Sequence, residues 1–200
     1  MVEFTKFDSV KVAIYQKAKQ GNDLCGDSYV IIETDRYFLC AIADGLGSGE
    51  GAHCASVEAI TIIKENHDAP VEVLMSKCNE AQLSRRGIVM TIVKIDYEQQ
   101  RIHYSNVGNI GFVFYLPSGK VVRPIPQRGF LSGRKVMIKE ESFPYESGST
   151  FILYSDGLHS SNIKPLNLTT LHSPDDATEF IRKNIKNKED DLTVLIAQIR

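Results

Sequence analysis

The stretch Phe38-Leu-Cys-Ala-Ile-Ala-Asp44-Gly45 is an apolar run closed by a carboxylate and a glycine. An apolar segment of this length between turn residues predicts a buried strand. A carboxylate at the end of such a strand needs a compensating partner, because an unpaired buried charge is expensive. The same ending recurs at Thr150-Phe-Ile-Leu-Tyr-Ser-Asp156-Gly157. Two such sites predict that something positive lies between them.

Upstream, Asp27 leads into Tyr29-Val-Ile-Ile-Glu33, and Thr34-Asp35-Arg36 joins this strand to the next as an antiparallel hairpin. Val10, Val12 and Ile14 alternate with polar residues, as in a half-buried strand. Downstream, Gly45-Leu-Gly-Ser-Gly-Glu-Gly51 reads as a loop. A helix from about Ala52 to Glu65 carries Ala52, Ala55, Ser56, Ala59 and Ile63 on one stripe. A second helix begins at Pro70, with Val71, Leu74, Met75, Cys78 and Ala81 as its apolar face. From Gly87 the pattern turns to strands: Ile88–Ile95, Ile102–Val107, Gly111–Leu116, Val121–Val122, Val136–Lys139 and Phe151–Tyr154. Ser173-Pro-Asp-Asp176 opens a last helix, buried through Ala177, Phe180, Ile181 and Ile185. Asp190-Asp191 precedes a final strand ending at Ile199. Strands and helices do not alternate one for one, so antiparallel sheets covered by helices fit better than a doubly wound parallel sheet.

The 200 residues predict one domain, 1–200, with a substantial core. A net charge of -2, with no basic stripe among aromatics, argues against nucleic acid. The N-terminus lacks the pattern of a signal peptide, and no apolar run approaches a membrane span, so a cytoplasmic protein is expected. Cys25, Cys40, Cys54 and Cys78 are too far apart for a zinc or redox motif and read as reduced, buried thiols. None is followed six residues later by arginine, so a cysteine-dependent phosphatase loop is missing.

Asp27, Asp44, Asp156, Asp190 and Asp191 each fall where a strand meets a loop. Carboxylates gathered in one cleft repel unless cations intervene. An all-oxygen set without a His or Cys pair favours a hard ion such as magnesium or manganese over zinc. The alternative is that Asp-Gly simply marks turns.

Asp-Gly-Leu-Gly-Ser-Gly-Glu-Gly-Ala-His-Cys-Ala-Ser (44 to 56), Leu-Tyr-Ser-Asp-Gly-Leu (153 to 158) and Asp-Asp-Leu-Thr-Val-Leu (190 to 195) resemble signature blocks of the metal-dependent serine/threonine protein phosphatases (PPM, or type 2C). Gly26-Asp27 resembles the first block and Ser105-Asn-Val-Gly-Asn109 a middle one. The compact size and Gly-x-Gly loop resemble the bacterial branch that acts on anti-sigma regulators. The resemblance implies an α+β fold, a four-layer α-β-β-α sandwich of two stacked antiparallel sheets flanked by helices. It implies two divalent cations, Mn2+ or Mg2+, with Asp44 bridging them and the Gly45 carbonyl on one. Asp156 and Asp190 would ligate the other, Asp27 would hold a coordinated water or touch an ion, and Asp191 would orient a water. The implied activity is hydrolysis of phosphoserine or phosphothreonine on stressosome scaffold proteins, damping the general stress response. A monomer is expected.

The sequence departs from the family at Asn22, where many relatives place a phosphate-holding arginine; asparagine carries no charge and no bidentate fork. Lys17 or Lys19 are candidate substitutes. His159, just past Asp156-Gly157, is the candidate general acid, and His53 reads as a packing residue. Two other readings stay open. One is a docking module that keeps the fold but turns over poorly. The other is a dinucleotide-binding protein, because Gly47-Ser-Gly-Glu-Gly-Ala52 fits Gly-x-Gly-x-x-Gly/Ala.

Overall fold

The computed structural model describes residues 2–6, 8–158, 163–164, 173–184 and 189–200. Every strand pairs antiparallel, and the strands fall into two sheets. In the first, β1 (Val2–Lys6), β2 (Val10–Lys17), β11 (Leu192–Ile199), β10 (Thr150–Tyr154), β7 (Gly111–Tyr115) and β8 (Val121–Val122) lie in that order. In the second the order is β3 (Asp27–Glu33), β4 (Tyr37–Gly45), β5 (Ile88–Asp96), β6 (Arg101–Val107) and β9 (Glu140–Pro144).

Three apolar layers hold the structure together. Even-numbered residues of β4 (Phe38, Cys40, Ile42) face the first sheet and meet Ile14, Phe114, Phe151 and Leu195. Odd-numbered residues of the same strand (Tyr37, Leu39, Ala41, Ala43) face the other way, under helices α1 (Glu50–Asn66) and α2 (Val71–Ala81). Side chains alternate along a strand, so β4 is apolar throughout because both of its faces are covered. The third layer lies outside the first sheet, where Ile152, Val194 and Ile196 receive Ala177 and Ile181 of α3 (Pro174–Asn184). The result is the expected four-layer α-β-β-α sandwich.

Local chemistry sets the elements. Thr34 Oγ1 accepts the backbone N–H groups of Arg36 and Tyr37 at 3.2 Å each, which closes the β3–β4 hairpin. The small residues Ala52, Ala55, Ser56 and Ala59 let α1 approach β3 and β4 closely. Ser173 Oγ accepts the Asp176 N–H at 3.1 Å and caps α3. Ile185, expected on that helix's buried face, lies outside the described residues.

Two expectations are corrected and one element is added. Val136–Lys139 is not a strand; pairing with β6 begins at Glu140. The apolar residues Val136 and Ile138 pack against the helix-covered layer instead of joining a ladder. Strand β1 was not foreseen at all. Cys54 is exposed on α1 and Cys25 only half-buried, while Cys40 and Cys78 are buried as expected.

Phe151 is fully buried and meets Phe112 and Phe38 with ring centroids 5.8 and 6.5 Å apart. Phe151→Ala should cost about 3–5 kcal/mol in denaturant unfolding. Ile125→Ala, at a position 89% exposed, should change stability by less than about 0.5 kcal/mol.

Candidate metal centre

The β3–β4 register sets Asp27 directly opposite Asp44, so the hairpin places two acids side by side at the end of the second sheet. Gly45 N–H donates to Gly26 O at 3.2 Å, just beyond that pair. From the first sheet, Asp156 follows β10 and Asp190 precedes β11 at the same end. Asp44, Gly45, Asp156 and Asp190 line one open cavity of about 840 Å³, with Asn109 beside them. Asp27 lies behind it, 1% exposed.

Ser155 fastens the two sheets together here. Its Oγ donates to Asp27 Oδ2 at 2.7 Å and accepts the Thr193 N–H at 2.9 Å. Its own N–H donates to Thr193 O at 2.9 Å. Gln16 adds a link, its Nε2 donating to Asp27 O at 3.2 Å and to Thr193 Oγ1 at 3.1 Å. Asn109 Nδ2 donates to Asp156 Oδ2 at 2.8 Å and orients that carboxylate. Neither Ser155 nor Asn109 was singled out from the sequence. Both stand in quoted motif blocks, and position beside an acid was the available signal.

The two acids at the end of the β11 approach differ. Asp190 lines the cavity and accepts the Asp191 N–H at 2.9 Å. Asp191 is 4% exposed and turns inward, accepting Lys19 N–H at 2.8 Å and Gly26 N–H at 2.9 Å. A Cβ on Gly26 would stand 2.7 Å from Asp191 Oδ2, so glycine there makes room for the carboxylate. The glycines after the acids serve close approach rather than a turn. Neither Gly45 nor Gly157 has a positive φ. A Cβ on Gly45 would fall 2.0 Å from Ala52 O, and one on Gly157 2.1 Å from Asp191 O.

Burial pushes the Asp44 carboxyl up, and the neighbouring charges of Asp27, Asp156, Asp190 and Asp191 push it further. Burial also raises Asp27; the hydrogen bonds from Ser155 and Thr193 oppose that shift, while Asp191 and Asp156 add to it. Among the described residues, Asp27, Asp44 and Asp190 make no ion pair with lysine or arginine. Asp27 Oδ1 is buried without a hydrogen-bond partner. Clustered, unneutralised oxygens with a buried orphan acceptor fit a hard divalent cation. Among the described residues, no group of three or more His, Cys, Asp or Glu side chains forms a ready-made cage. The acids line an open mouth and are partly engaged by neighbours, so an ion held there would need the Gly45 carbonyl or water to complete its shell.

Asn22 stands apart from the cavity wall. Its Nδ2 is buried without a partner. Lys17 lines a separate cavity on the α1 side of Asp27. His53 Nδ1 is 2.8 Å from Cys25 O, a structural contact. His159 lies outside the described residues. The dinucleotide reading fails on topology, because α1 and α2 lead into β5, which runs antiparallel to β4; the fingerprint requires a parallel strand-helix-strand unit.

Residues 34–200 match the family Stage II sporulation protein E (SpoIIE). Phosphoserine phosphatase RsbX of Bacillus subtilis is 33% identical over 199 residues, covering all of both chains. A crystal structure of RsbX in complex with magnesium superposes with a TM-score of 0.93 at 32% identity, again covering all of both chains. A chain from a structure of the bacterial stressosome matches with a TM-score of 0.86 at 24% identity, covering 96% of this chain and 100% of that one, and shows the fold.

The raised carboxyls have a consequence for pH. The folded protein keeps protons on Asp27 and Asp44 that the unfolded chain releases near the ordinary carboxylate pKa of about 4. Their contribution to stability is therefore full in acid and is lost as pH rises through the raised folded values. In chelator, Asp44→Asn should lessen the fall in Tm between mildly acidic and mildly alkaline pH. Mn2+ competes with those protons, so its effect on the Tm of the unaltered chain should grow over the same range.

Proposed function

The chain belongs to the SpoIIE family, with the fold of PP2C-type phosphatases, and on that premise we propose that Asp44, Asp156, Asp190 and Asp27 make it a metal-dependent protein serine/threonine phosphatase. As a phosphoprotein phosphatase it hydrolyses phosphate monoesters. The observation that carries the site assignment is the convergence of acids from both sheets on one cavity, backed by the orphan oxygen of Asp27.

In this reading Asp44, the Gly45 carbonyl, Asp156 and Asp190 would hold the divalent cations, with Asp27 behind them. Such cations, when bound, supply a water of lowered pKa and neutralise charge growing on the phosphoryl oxygens. The protein's own residues do the positioning. Ser155 holds Asp27 in one rotamer, and Asn109 holds Asp156. The oxygen of water bonds to phosphorus as the ester P–O bond breaks, and the leaving serine or threonine oxygen takes a proton. His159 is the proposed donor of that proton. Asp191, its carboxylate filled by two backbone amides, keeps the β2–β3 connection seated beneath the site.

The substrates we propose are phosphorylated stressosome scaffold proteins, whose dephosphorylation would damp a stress response. The similarity to RsbX along the whole chain supports this. We further propose that residues 1–200 act as a single domain, as a cytoplasmic monomer. No helix among the described residues is long and apolar enough to cross a membrane.

Three variants test the assignments. Asp44→Asn should reduce Mn2+-stimulated phosphate release from a phosphoserine protein by at least about 100-fold, since even supporting residues of metal sites are worth 10–100-fold, while circular dichroism stays unchanged. Asp190→Ala should lose turnover at nearly normal Tm. Asp191→Ala orphans two amide donors and should lose about 1–3 kcal/mol of stability. An Asp191→Ala protein with unchanged stability and no metal response would reverse the two roles.

A further inference from the structure

The segment between β8 and β9 contributes Ile125, Arg128, Gly129 and Phe130 to the cavity that the acids line. This stretch has little regular structure, yet it is firmly mounted. At one side Gln127 N–H donates to Asn106 Oδ1 at 3.0 Å, and Gln127 O accepts the Gly108 N–H at 2.8 Å. Asn106 is itself fixed, its Nδ2 donating to Thr91 Oγ1 at 2.7 Å inside the sandwich. At the other side Leu131, fully buried, exchanges both backbone hydrogen bonds with Ile88 at 3.0 and 2.8 Å. Arg128-Gly129-Phe130 therefore forms a three-residue overhang between two anchored points. Gly129 has a φ of 118°, a conformation that glycine tolerates and that turns the chain sharply between its two neighbours. Ile125 is 89% exposed and Phe130 47% exposed on the same lip.

Arg128 is exposed, and among the described residues it makes no hydrogen bond or ion pair. A guanidinium that lines an acid-bearing cavity without pairing to an acid keeps its donor fork for another anion. Arginine is the side chain suited to bidentate recognition of phosphate. The position that would carry a phosphate-holding arginine in the β2–β3 connection is Asn22, away from this cavity.

We propose that Arg128, presented by the Gln127–Leu131 overhang, is the phosphate-holding residue of this site, with Ile125 and Phe130 offering apolar surface to the polypeptide on either side of the phosphorylated side chain. The assignment rests on the phosphatase reading above and deepens it. The charge that secures the phosphoryl group comes from a part of the cavity wall other than the acid-bearing strand ends, so the substrate is held by Arg128 as well as by the acid-held end of the sandwich. Arg86 is the rival cation, because its guanidinium runs along the glycine loop, 2.7 Å from where a Cβ on Gly51 would stand; it does not line the cavity.

The test is calorimetric titration of inorganic phosphate into the full chain with Mg2+ present, which requires no turnover. Arg128→Ala should weaken phosphate binding by about tenfold or more, a difference of about 1.4 kcal/mol. Arg128→Lys should recover part of the loss. Arg86→Ala should stay within about twofold of the unaltered chain, and the Mg2+-induced rise in Tm should survive in every variant. Phosphate affinity unchanged in Arg128→Ala, or a loss found in Arg86→Ala instead, overturns the assignment, as does an unaltered chain that binds no phosphate. If phosphate binding follows Arg128 but no phosphoserine substrate is hydrolysed, the assignment holds and the hydrolase reading fails.

Discussion

Asp27 and Asp44 face each other across a two-strand ladder, and the rest of the molecule is arranged so that this repulsive pair can exist. When both are ionised, like charges directly opposite in an antiparallel pair are destabilising. Burial makes the repulsion stronger because water cannot screen it. The surrounding structure offsets part of the cost. Ser155 donates to Asp27, and Asn109 donates to Asp156. The backbone at Gly45 and Gly157 lies so close to Ala52 and Asp191 that no side chain fits. What the hydrogen bonds leave unneutralised is what the proposed cations would answer.

The sandwich explains how residues far apart in the chain reach one point. β3 and β4 belong to one sheet, β10 and β11 to the other, and the aromatic and aliphatic layer between them fixes their spacing. Ser155 stitches the two sheets at the acidic end by contacting Asp27 on one and Thr193 on the other. The acids of the candidate site thus stand where the two sheets are tied together. The lip that carries Arg128 hangs from two hydrogen-bonded anchors, and its exposed residues can vary without disturbing the core.

Much of this was legible in the residues. The run before Asp44 reads as a strand because both of its faces are covered, and the alanine stripe of α1 reads as a helix meant to lie close to a sheet. The acids stood out because a carboxylate ending a buried strand is costly enough to need a reason. Val136 and Ile138 misled because alternation marks burial on one side, and an irregular segment can satisfy that as well as a strand. Ser155 and Asn109 were silent because neutral polar residues at strand ends are common, and only a contact shows which of them is engaged. Arg128 was silent for the same reason: its meaning comes from the cavity it lines, and that wall is assembled from distant turns.

The most direct measurement is anomalous diffraction from a crystal of the protein soaked in Mn2+. Manganese peaks are expected in the cavity between Asp44, Asp156 and Asp190, with the Gly45 carbonyl on one of them. Peaks only at other surface carboxylates, with these acids unchanged and empty at saturating Mn2+, would contradict this placement.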